Sequence, residues 1–275
     1  MSDEILTYTN IIDADSLQGL SEIIVFDCRA KLGAPGWGKS VFDEGHIPGA
    51  LFLDLDQDLA AQPDHRGRHP LPEQEAWLET VRAMGVKNSD QIVIYDDASG
   101  AYAARAWWMF RWLGHEAVAV LDGGLQSWGG ALETESTPRP RSDFQPRAPL
   151  TKQIDSTTVA ASISELNLID ARTEVRFNGE EEPIDPVAGH IPGATCLPFQ
   201  GNLDGSGRFL TPAELNARFS HVADEEVDAT CYCGSGVTAC HNILAMHIAG
   251  LSEPQLYVDS WSGWITDPSR PIATL

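Results

Sequence analysis

A cysteine in a glycine-rich turn is the residue of this sequence best placed for chemistry. Cys233 follows a short apolar run, and Gly234 and Gly236 come directly after it. Apolar residues then recur at helical spacing over residues 237–250, so the pattern predicts a strand, a tight turn and a helix N-terminus. Backbone N–H groups that converge in such a turn stabilise an anion, and they can lower the pKa of a thiol from about 8.5 to about 3.5–7.5. The pattern therefore predicts that Cys233 is a nucleophile.

Three other interpretations of this cysteine have to be weighed. Free cysteines are usually small core residues, which suits Cys231 and Cys240 but leaves the Gly-Ser-Gly after Cys233 unexplained. A cysteine-based phosphatase needs an arginine at the far end of the loop to bind the phosphate, and this sequence has Ala239 there. A metal or dithiol site needs a second Cys/His pair at zinc-like spacing, which does not accompany these cysteines, so no metal is expected.

Composition and charge limit the partners of the chain. A formal net charge of −22 repels phosphate backbones and anionic lipid surfaces, so neither nucleic acid nor a membrane is an expected partner. The acidic start, residues 1–4, does not resemble a signal peptide, and no apolar run approaches membrane-spanning length. Five cysteines in 275 residues do not form a disulfide framework. These features together predict a cytoplasmic globular protein.

An internal repeat organises the sequence. Residues 23–29 read Ile-Ile-Val-Phe-Asp-Cys-Arg, and residues 166–172 repeat the apolar run and its Asp-x-Arg ending. The hexapeptide Gly-His-Ile-Pro-Gly-Ala then occurs at 45–50 and again at 189–194, at nearly the same distance from each run. Two matches in the same order indicate a duplicated domain.

The repeat predicts an α/β fold with two tandem domains. Within each copy, short apolar runs alternate with helical patterns, which is typical of a mostly parallel sheet flanked by helices. The predicted boundaries are an N-terminal domain over 1–135, a proline-rich linker over 136–151 and a catalytic domain over 152–275.

The two copies differ at the position of the nucleophile. The first copy offers Asp96 or Asp97 where the second has Cys233, so it lacks the active cysteine. The histidine of the repeated hexapeptide is present in both copies. Because the copy without the cysteine keeps it, we interpret His46 and His190 as structural residues that bond the backbone beside a Pro-Gly turn.

The duplicated domain, the two hexapeptides and the single Cys-Gly-Ser-Gly-Val-Thr loop at 233–238 resemble the tandem rhodanese family over nearly the whole chain. The loop is more similar to that of the 3-mercaptopyruvate sulfurtransferases, because thiosulfate sulfurtransferases typically have a basic residue where Ser235 stands. The resemblance implies that Cys233 takes sulfur from 3-mercaptopyruvate as a persulfide and passes it to a thiol, such as reduced thioredoxin, or to cyanide. Thiosulfate is the alternative donor, and a persulfide carrier without small-donor turnover is the alternative of another class. No cofactor is implied, since sulfur is the group carried.

The resemblance also implies a proton relay. In the mercaptopyruvate enzymes a Ser-His-Asp relay has been proposed, and it corresponds to Ser235, His69 and Asp56 of this sequence. His65 is a rival for the histidine, because the segment that joins the aspartate to the histidine is longer here.

Arg176 corresponds to the family's carboxylate-binding arginine. Further donor-binding groups are expected from the turn itself, at Gly234, Gly236, Val237 and Thr238. The family usually has a second arginine before the hexapeptide, but residues 182–186 read Glu-Pro-Ile-Asp-Pro. This departure leaves the specificity for an α-keto acid open.

Overall fold

The computed structural model describes residues 7–223 and 228–275. The chain divides into two compact units. The first unit comprises the residues up to 58 together with 73–150, and the second comprises 59–72 together with 151–275. Each unit contains a five-stranded parallel sheet with flanking helices, which confirms the predicted α/β class and the duplication.

The sheet of the first unit has the strand order β1-β5-β4-β2-β3, with β4 at its centre. Its strands are β1 (Ile11–Ile12), β2 (Ile23–Asp27), β3 (Leu51–Phe52), β4 (Gln91–Tyr95) and β5 (Val118–Leu121). Its helices are α1 (Ala14–Gly19), α2 (Trp37–Glu44), α3 (Gln74–Ala83) and α4 (Ala103–Trp112), with a 3₁₀ helix at Gly124–Ser127. Every side chain of α4 is buried, as the apolar and aromatic composition of this helix requires.

The second unit repeats this order as β6-β10-β9-β7-β8, with β9 at the centre. Its strands are β6 (Lys152–Ile154), β7 (Asn167–Asp170), β8 (Thr195–Cys196), β9 (Ala229–Tyr232) and β10 (Gln255–Tyr257). Its helices are α5 (Ser156–Ser162), α6 (Glu174–Asn178), α7 (Pro212–Phe219), α8 (Ala239–Ile248) and α9 (Ser260–Trp264), with a 3₁₀ helix at Phe199–Asn202. The helix predicted after Cys233 is therefore α8, and Val237 and Thr238 lie in the turn before it.

The Asp-x-Arg sequence of each copy fixes the repeated hexapeptide. In the first unit, Arg29 forms a buried ion pair with Asp27, and its Nη2 donates to the carbonyl of Gly45 at 2.7 Å. The equivalent residues of the second unit are Arg172, Asp170 and Gly189. In each unit the buried guanidinium is paired with the aspartate that ends the strand and also donates to the first glycine of the hexapeptide. It therefore holds the hexapeptide at the carboxyl end of that strand.

The histidines of the two hexapeptides bond the backbone, as the sequence predicts. His46 Nδ1 donates to the carbonyl of Phe42 at 2.8 Å, and its ring stacks on that phenylalanine. His190 makes the same contacts with Phe177, at 2.7 Å and with ring centroids 3.7 Å apart. Both imidazoles are buried, so each histidine ties a helix end to its loop.

The units differ from the predicted domain ranges in two places. Residues 59–72 group with the second unit, although they lie within the predicted N-terminal domain. Residues 136–150 group with the first unit, where Phe144 is 1% exposed and its carbonyl accepts from Arg82 Nε at 3.0 Å. The burial of Phe144 was not predicted, because the surrounding stretch is rich in proline. The division into 1–135, 136–151 and 152–275 as separately folding parts stays a prediction.

Candidate active site

The central strands β4 and β9 end at equivalent positions of the two sheets, so the residues that follow them are also in equivalent positions. Tyr95 pairs with Asp27 at the end of β4, and Tyr232 pairs with Asp170 at the end of β9. Each tyrosine hydroxyl also accepts the isoleucine N–H of its own hexapeptide, at 3.1 Å in the first unit and 3.3 Å in the second. The next residue is Asp96 in one unit and Cys233 in the other. Of the two candidate aspartates, Asp96 is therefore the counterpart of the cysteine.

The Asp96 carboxylate occupies the turn of the first unit. It accepts four backbone N–H groups, from Ala98, Gly100, Tyr102 and Ala103, at 2.8–2.9 Å. The side chain is fully buried. The turn between β4 and α4 thus gathers N–H donors around one anionic group, as the sequence predicts for the turn of the second unit.

The turn of the second unit leaves four of its backbone N–H groups without an acceptor among the described residues. Cys233 is 2% exposed, and its N–H donates to Ser260 Oγ at 3.2 Å. Within residues 7–223 and 228–275, the backbone N–H groups of Gly234, Ser235, Val237 and Thr238 donate to no acceptor. These N–H groups are available to an anion bound beside Cys233.

Three of the other four cysteines have a raised thiol pKa. Burial raises the pKa of Cys28 and of Cys231, and nearby carboxylates or thiols raise it further. Burial and Asp170 raise the pKa of Cys196 to about 12. These three thiols stay protonated at neutral pH, which makes them poor nucleophiles.

Ser235 and His69 are in direct contact. His69 Nδ1 lies 2.7 Å from Ser235 Oγ, and both side chains are buried. The rival His65 has a side chain that is 86% exposed and lies beside Asp64. The structure therefore brings together two members of the predicted relay and favours His69 as its histidine. Asp56 belongs to the first unit, and its part in a relay stays a prediction.

The segment that carries His69 is fixed to the end of α9. Arg68 N–H donates to Ser262 Oγ at 3.1 Å, and Thr266 Oγ1 donates to the carbonyl of His65 at 2.9 Å. Gly67 has φ +112°, and a Cβ there would collide with Ser262. Glycine is required at this close approach, which sets the direction in which Arg68 and His69 leave the segment.

Two arginines lie over the cysteine turn. A Cβ placed on Gly234 would stand 2.8 Å from Arg68 Nη2, and 3.4 and 3.6 Å from Arg176 Nη2 and Nη1. Arg176 also contacts Glu182 through Nε and Asp185 through Nη2, at 2.9–3.0 Å. Arg176 was predicted from the sequence, whereas Arg68 was not, because its only signal in the sequence is its place beside His69.

Electrostatic coupling joins Arg68 to the same site. Burial lowers the pKa of the Arg68 guanidinium, Cys233 raises it, and the neighbouring Arg176 lowers it. A guanidinium remains charged at neutral pH in spite of such shifts, so Arg68 supplies positive charge close to the thiol. This charge matters in a chain whose net charge is −22.

Neither a metal-ligand cluster nor a membrane-spanning helix is found among the described residues. Within the described parts of the chain, no three His, Cys, Asp or Glu side chains are grouped as metal ligands. None of the helices in residues 7–223 and 228–275 combines the length and apolarity that crossing a bilayer demands.

Comparisons with known proteins identify the family. The model of the rhodanese-like domain matches residues 10–131 and again residues 150–267. The chain belongs to the rhodanese family. A probable 3-mercaptopyruvate sulfurtransferase of Pseudomonas aeruginosa is 49% identical over 267 residues, which cover 92% of this chain and 93% of that protein. The predicted resemblance is thereby confirmed.

Two other rhodanese relatives show the range of the family. A putative thiosulfate sulfurtransferase, SseB of Mycobacterium tuberculosis, is 37% identical over 270 residues, 94% of this chain and 93% of that protein. Among solved structures, a 3-mercaptopyruvate sulfurtransferase from Leishmania major superposes with a TM-score of 0.80 at 31% identity. That match covers 92% of this chain and 73% of the Leishmania protein.

Proposed function

We propose that this rhodanese is a sulfurtransferase that takes sulfur from 3-mercaptopyruvate through a persulfide on Cys233 and passes it to a thiol or to cyanide. The observation that carries the proposal is the 2.7 Å contact between His69 Nδ1 and Ser235 Oγ, two residues beyond the nucleophile. Departure of a carbon leaving group requires a proton, whereas departure of sulfite from thiosulfate does not. The name and 49% identity of the Pseudomonas relative support the same donor.

The first half of the reaction makes the persulfide. The Cys233 thiolate attacks the sulfur of 3-mercaptopyruvate, an S–S bond forms and the C–S bond breaks. The electron pair of the C–S bond stays with carbon as the enolate of pyruvate, and the proton of the donor's thiol is transferred to that carbon. The products are pyruvate and a persulfide anion on Cys233. In the second half, an acceptor thiolate or cyanide attacks the outer sulfur and restores the Cys233 thiolate.

The chain's own groups match the charges that these steps develop. The N–H groups of Gly234, Val237 and Thr238 bond no acceptor among the described residues, and they suit the persulfide anion, since preorganised donors stabilise charge without reorganisation. Ser235 and His69 form a buried hydrogen-bonded pair that can move the proton to the leaving carbon. The Arg176 guanidinium suits the carboxylate of the donor.

Two observations favour a second donor, thiosulfate. The residues 182–186 hold no arginine, and the Mycobacterium relative carries the name of a thiosulfate enzyme. A persulfide carrier is the third candidate, because the turn would stabilise a persulfide whatever its source.

Separate exposure of the protein to 3-mercaptopyruvate and to thiosulfate tests the proposal. We expect intact-protein mass spectrometry to find one added sulfur atom on Cys233, formed faster with 3-mercaptopyruvate, and steady-state turnover to pyruvate with a thiol or cyanide present. Faster loading and turnover with thiosulfate would replace the proposed donor. No loading from either donor would favour the carrier.

The Ser235→Ala variant tests the relay. We expect kcat with 3-mercaptopyruvate to fall by about 10²–10⁴-fold, the usual contribution of a positioned acid or base. His69→Asn is expected to show a similar loss. Transfer to cyanide from a persulfide made beforehand with inorganic polysulfide should change little, because this half-reaction forms no carbanion.

The matched control for the relay is His65→Asn, in the same segment. The His65 side chain is 86% exposed, so this variant should keep the wild-type kcat with 3-mercaptopyruvate. If Ser235→Ala slowed both half-reactions equally, the pair would be holding the turn in shape rather than moving a proton.

A further inference from the structure

The stretch 182–186, which contains no arginine, carries two buried carboxylates. It reads Glu-Pro-Ile-Asp-Pro, and its acidic residues are Glu182 and Asp185. The Glu182 side chain is 3% exposed and the Asp185 side chain is 2% exposed. Carboxylates that are taken out of water to this degree need charged or hydrogen-bonding partners to remain ionised.

The partners of both carboxylates are the two arginines that lie over the cysteine turn. Asp185 Oδ1 forms an ion pair with Arg68 Nη1, and Asp185 Oδ2 accepts from Arg176 Nη2 at 3.0 Å. Glu182 accepts from Arg176 Nε at 2.9–3.0 Å. Two positive and two negative side chains therefore form one cluster without a formal net charge.

Glu182 also sets the shape of the stretch. Its Oε1 accepts the backbone N–H groups of Ile184 and Asp185, both at 3.1 Å, so the chain turns around this carboxylate. Arg172 Nη1 lies 3.4 Å from Glu182, but Arg172 is already paired with Asp170 at 2.6 Å. The charges of Arg172 and Asp170 cancel each other, so they leave the balance of the cluster unchanged.

The Asp185 carboxylate is separated from the space beside the nucleophile by one guanidinium group. Arg68 Nη1 is paired with Asp185, while Nη2 of the same group would stand 2.8 Å from a Cβ placed on Gly234. Gly234 follows Cys233 directly, so an anionic donor whose sulfur reaches Cys233 comes close to this carboxylate. Like charges repel more strongly at such a buried site than in water.

We propose that Asp185, supported by Glu182, determines donor specificity by disfavouring a dianionic donor relative to a monoanionic one. Thiosulfate is a dianion at neutral pH, whereas 3-mercaptopyruvate with its thiol protonated is a monoanion. A fixed negative charge therefore costs thiosulfate about twice the repulsion that it costs 3-mercaptopyruvate. The proposal rests on the proposed function for the identity of the favoured donor.

The same stretch thus acts on both candidate donors. The lack of an arginine removes a possible cation for a carboxylate, which by itself favours thiosulfate. The two buried carboxylates act in the opposite direction, because their repulsion increases with the charge of the donor. The combined result is a site that discriminates by the charge of the donor.

The kinetic test removes one negative charge at a time and compares the two donors with cyanide as the common acceptor. Asp185→Asn keeps the size of the side chain, and we expect it to raise the kcat/KM of thiosulfate relative to that of 3-mercaptopyruvate by about 10-fold or more. Glu182→Gln should shift the ratio in the same direction, because it removes a charge from the same cluster. Glu181→Gln is the matched control, since Glu181 is the adjacent residue and is exposed; its ratio should equal that of the wild type.

A binding measurement separates the effect of charge from the chemistry of transfer. Thiosulfate and pyruvate are titrated calorimetrically into Cys233→Ser protein, with and without Asp185→Asn. Because serine takes up no sulfur, the heat reports binding alone. We expect the affinity for thiosulfate, relative to that for pyruvate, to rise by about 10-fold when the Asp185 charge is removed. Circular dichroism and urea unfolding of each variant check that the fold is retained.

Each outcome decides for or against Asp185. An unchanged ratio of the two donors, in kinetics and in binding, would overturn its role in specificity and leave the proposed function standing. An equal fall for both donors would mean that Asp185 only holds the arginines in place, and an equal shift in Glu181→Gln would point to the overall charge of the protein; either result overturns the proposal. A wild-type protein that prefers thiosulfate would overturn the proposed function, and the affinities measured in Cys233→Ser protein would then decide on Asp185.

Discussion

Replacement of Cys233 by serine is expected to abolish sulfur transfer from every donor and leave the fold intact. A serine hydroxyl cannot form a persulfide, so the covalent route disappears, and removal of a nucleophile commonly lowers kcat by several powers of ten. We expect kcat/KM with 3-mercaptopyruvate to fall by at least about 10⁴-fold. The Cys233 side chain is 2% exposed and close to serine in size, so the unfolding midpoint in urea should remain close to that of the wild type.

The control for this variant is Cys196→Ser. Cys196 is another thiol of the second unit, but burial and Asp170 raise its pKa to about 12, so it stays protonated. Cys196→Ser should load one sulfur atom and turn over like the wild type, whereas Cys233→Ser should load none. Residual turnover in Cys233→Ser, or loss of turnover in Cys196→Ser, would mean that the nucleophile has been misassigned.

The sequence could predict those features of the site that are formed by residues close to one another in the chain. A strand, two glycines and a run with apolar residues at helical spacing follow one another around Cys233, so their order alone implies a turn with converging N–H groups. The hexapeptide histidines could be interpreted by comparing two copies of the same repeat. The predicted fold class followed from the same alternation of strands and helices, and the sheets confirm it.

Arg68 could not be found in this way, because its place depends on contacts that are distant in the sequence. It reaches the turn only because Gly67 and Ser262 fix its segment to α9. The choice between Asp96 and Asp97 likewise required the strand register, since Tyr95 and Tyr232 hold equivalent places in their sheets and Asp96 is the residue that follows Tyr95. The same long-range packing groups residues 136–150 with the first unit, through the buried side chain of Phe144.

In the first unit, the turn after the central strand binds the carboxylate of Asp96. In the described part of the second unit, the N–H groups of Gly234, Ser235, Val237 and Thr238 bond no acceptor, whereas in the first unit the protein's own carboxylate accepts four N–H groups. A buried N–H group without an acceptor costs about 1–3 kcal/mol. An aspartate at the position of the cysteine therefore satisfies the N–H groups of this turn within the protein itself.

Asp96→Ala is accordingly expected to destabilise the first unit strongly. The variant leaves four N–H groups without their acceptor, those of Ala98, Gly100, Tyr102 and Ala103. Because the turn can rearrange and admit water, the loss should be smaller than four full penalties, and we expect the free energy of unfolding to fall by about 3–5 kcal/mol. Urea unfolding measures this loss, and hydrogen–deuterium exchange of residues 98–103 should accelerate selectively.

Asp97→Ala is the matched control for this prediction. Asp97 is the adjacent carboxylate and is partly exposed, and the hydrogen bond from Gln126 Nε2 reaches its backbone carbonyl, which alanine retains. This variant should unfold within about 0.5 kcal/mol of the wild type, as surface substitutions usually do. Equal stability of Asp96→Ala and Asp97→Ala, with unchanged exchange at residues 98–103, would refute the structural use of the turn. A selective loss in Asp96→Ala would instead show that the turn of the first unit serves stability.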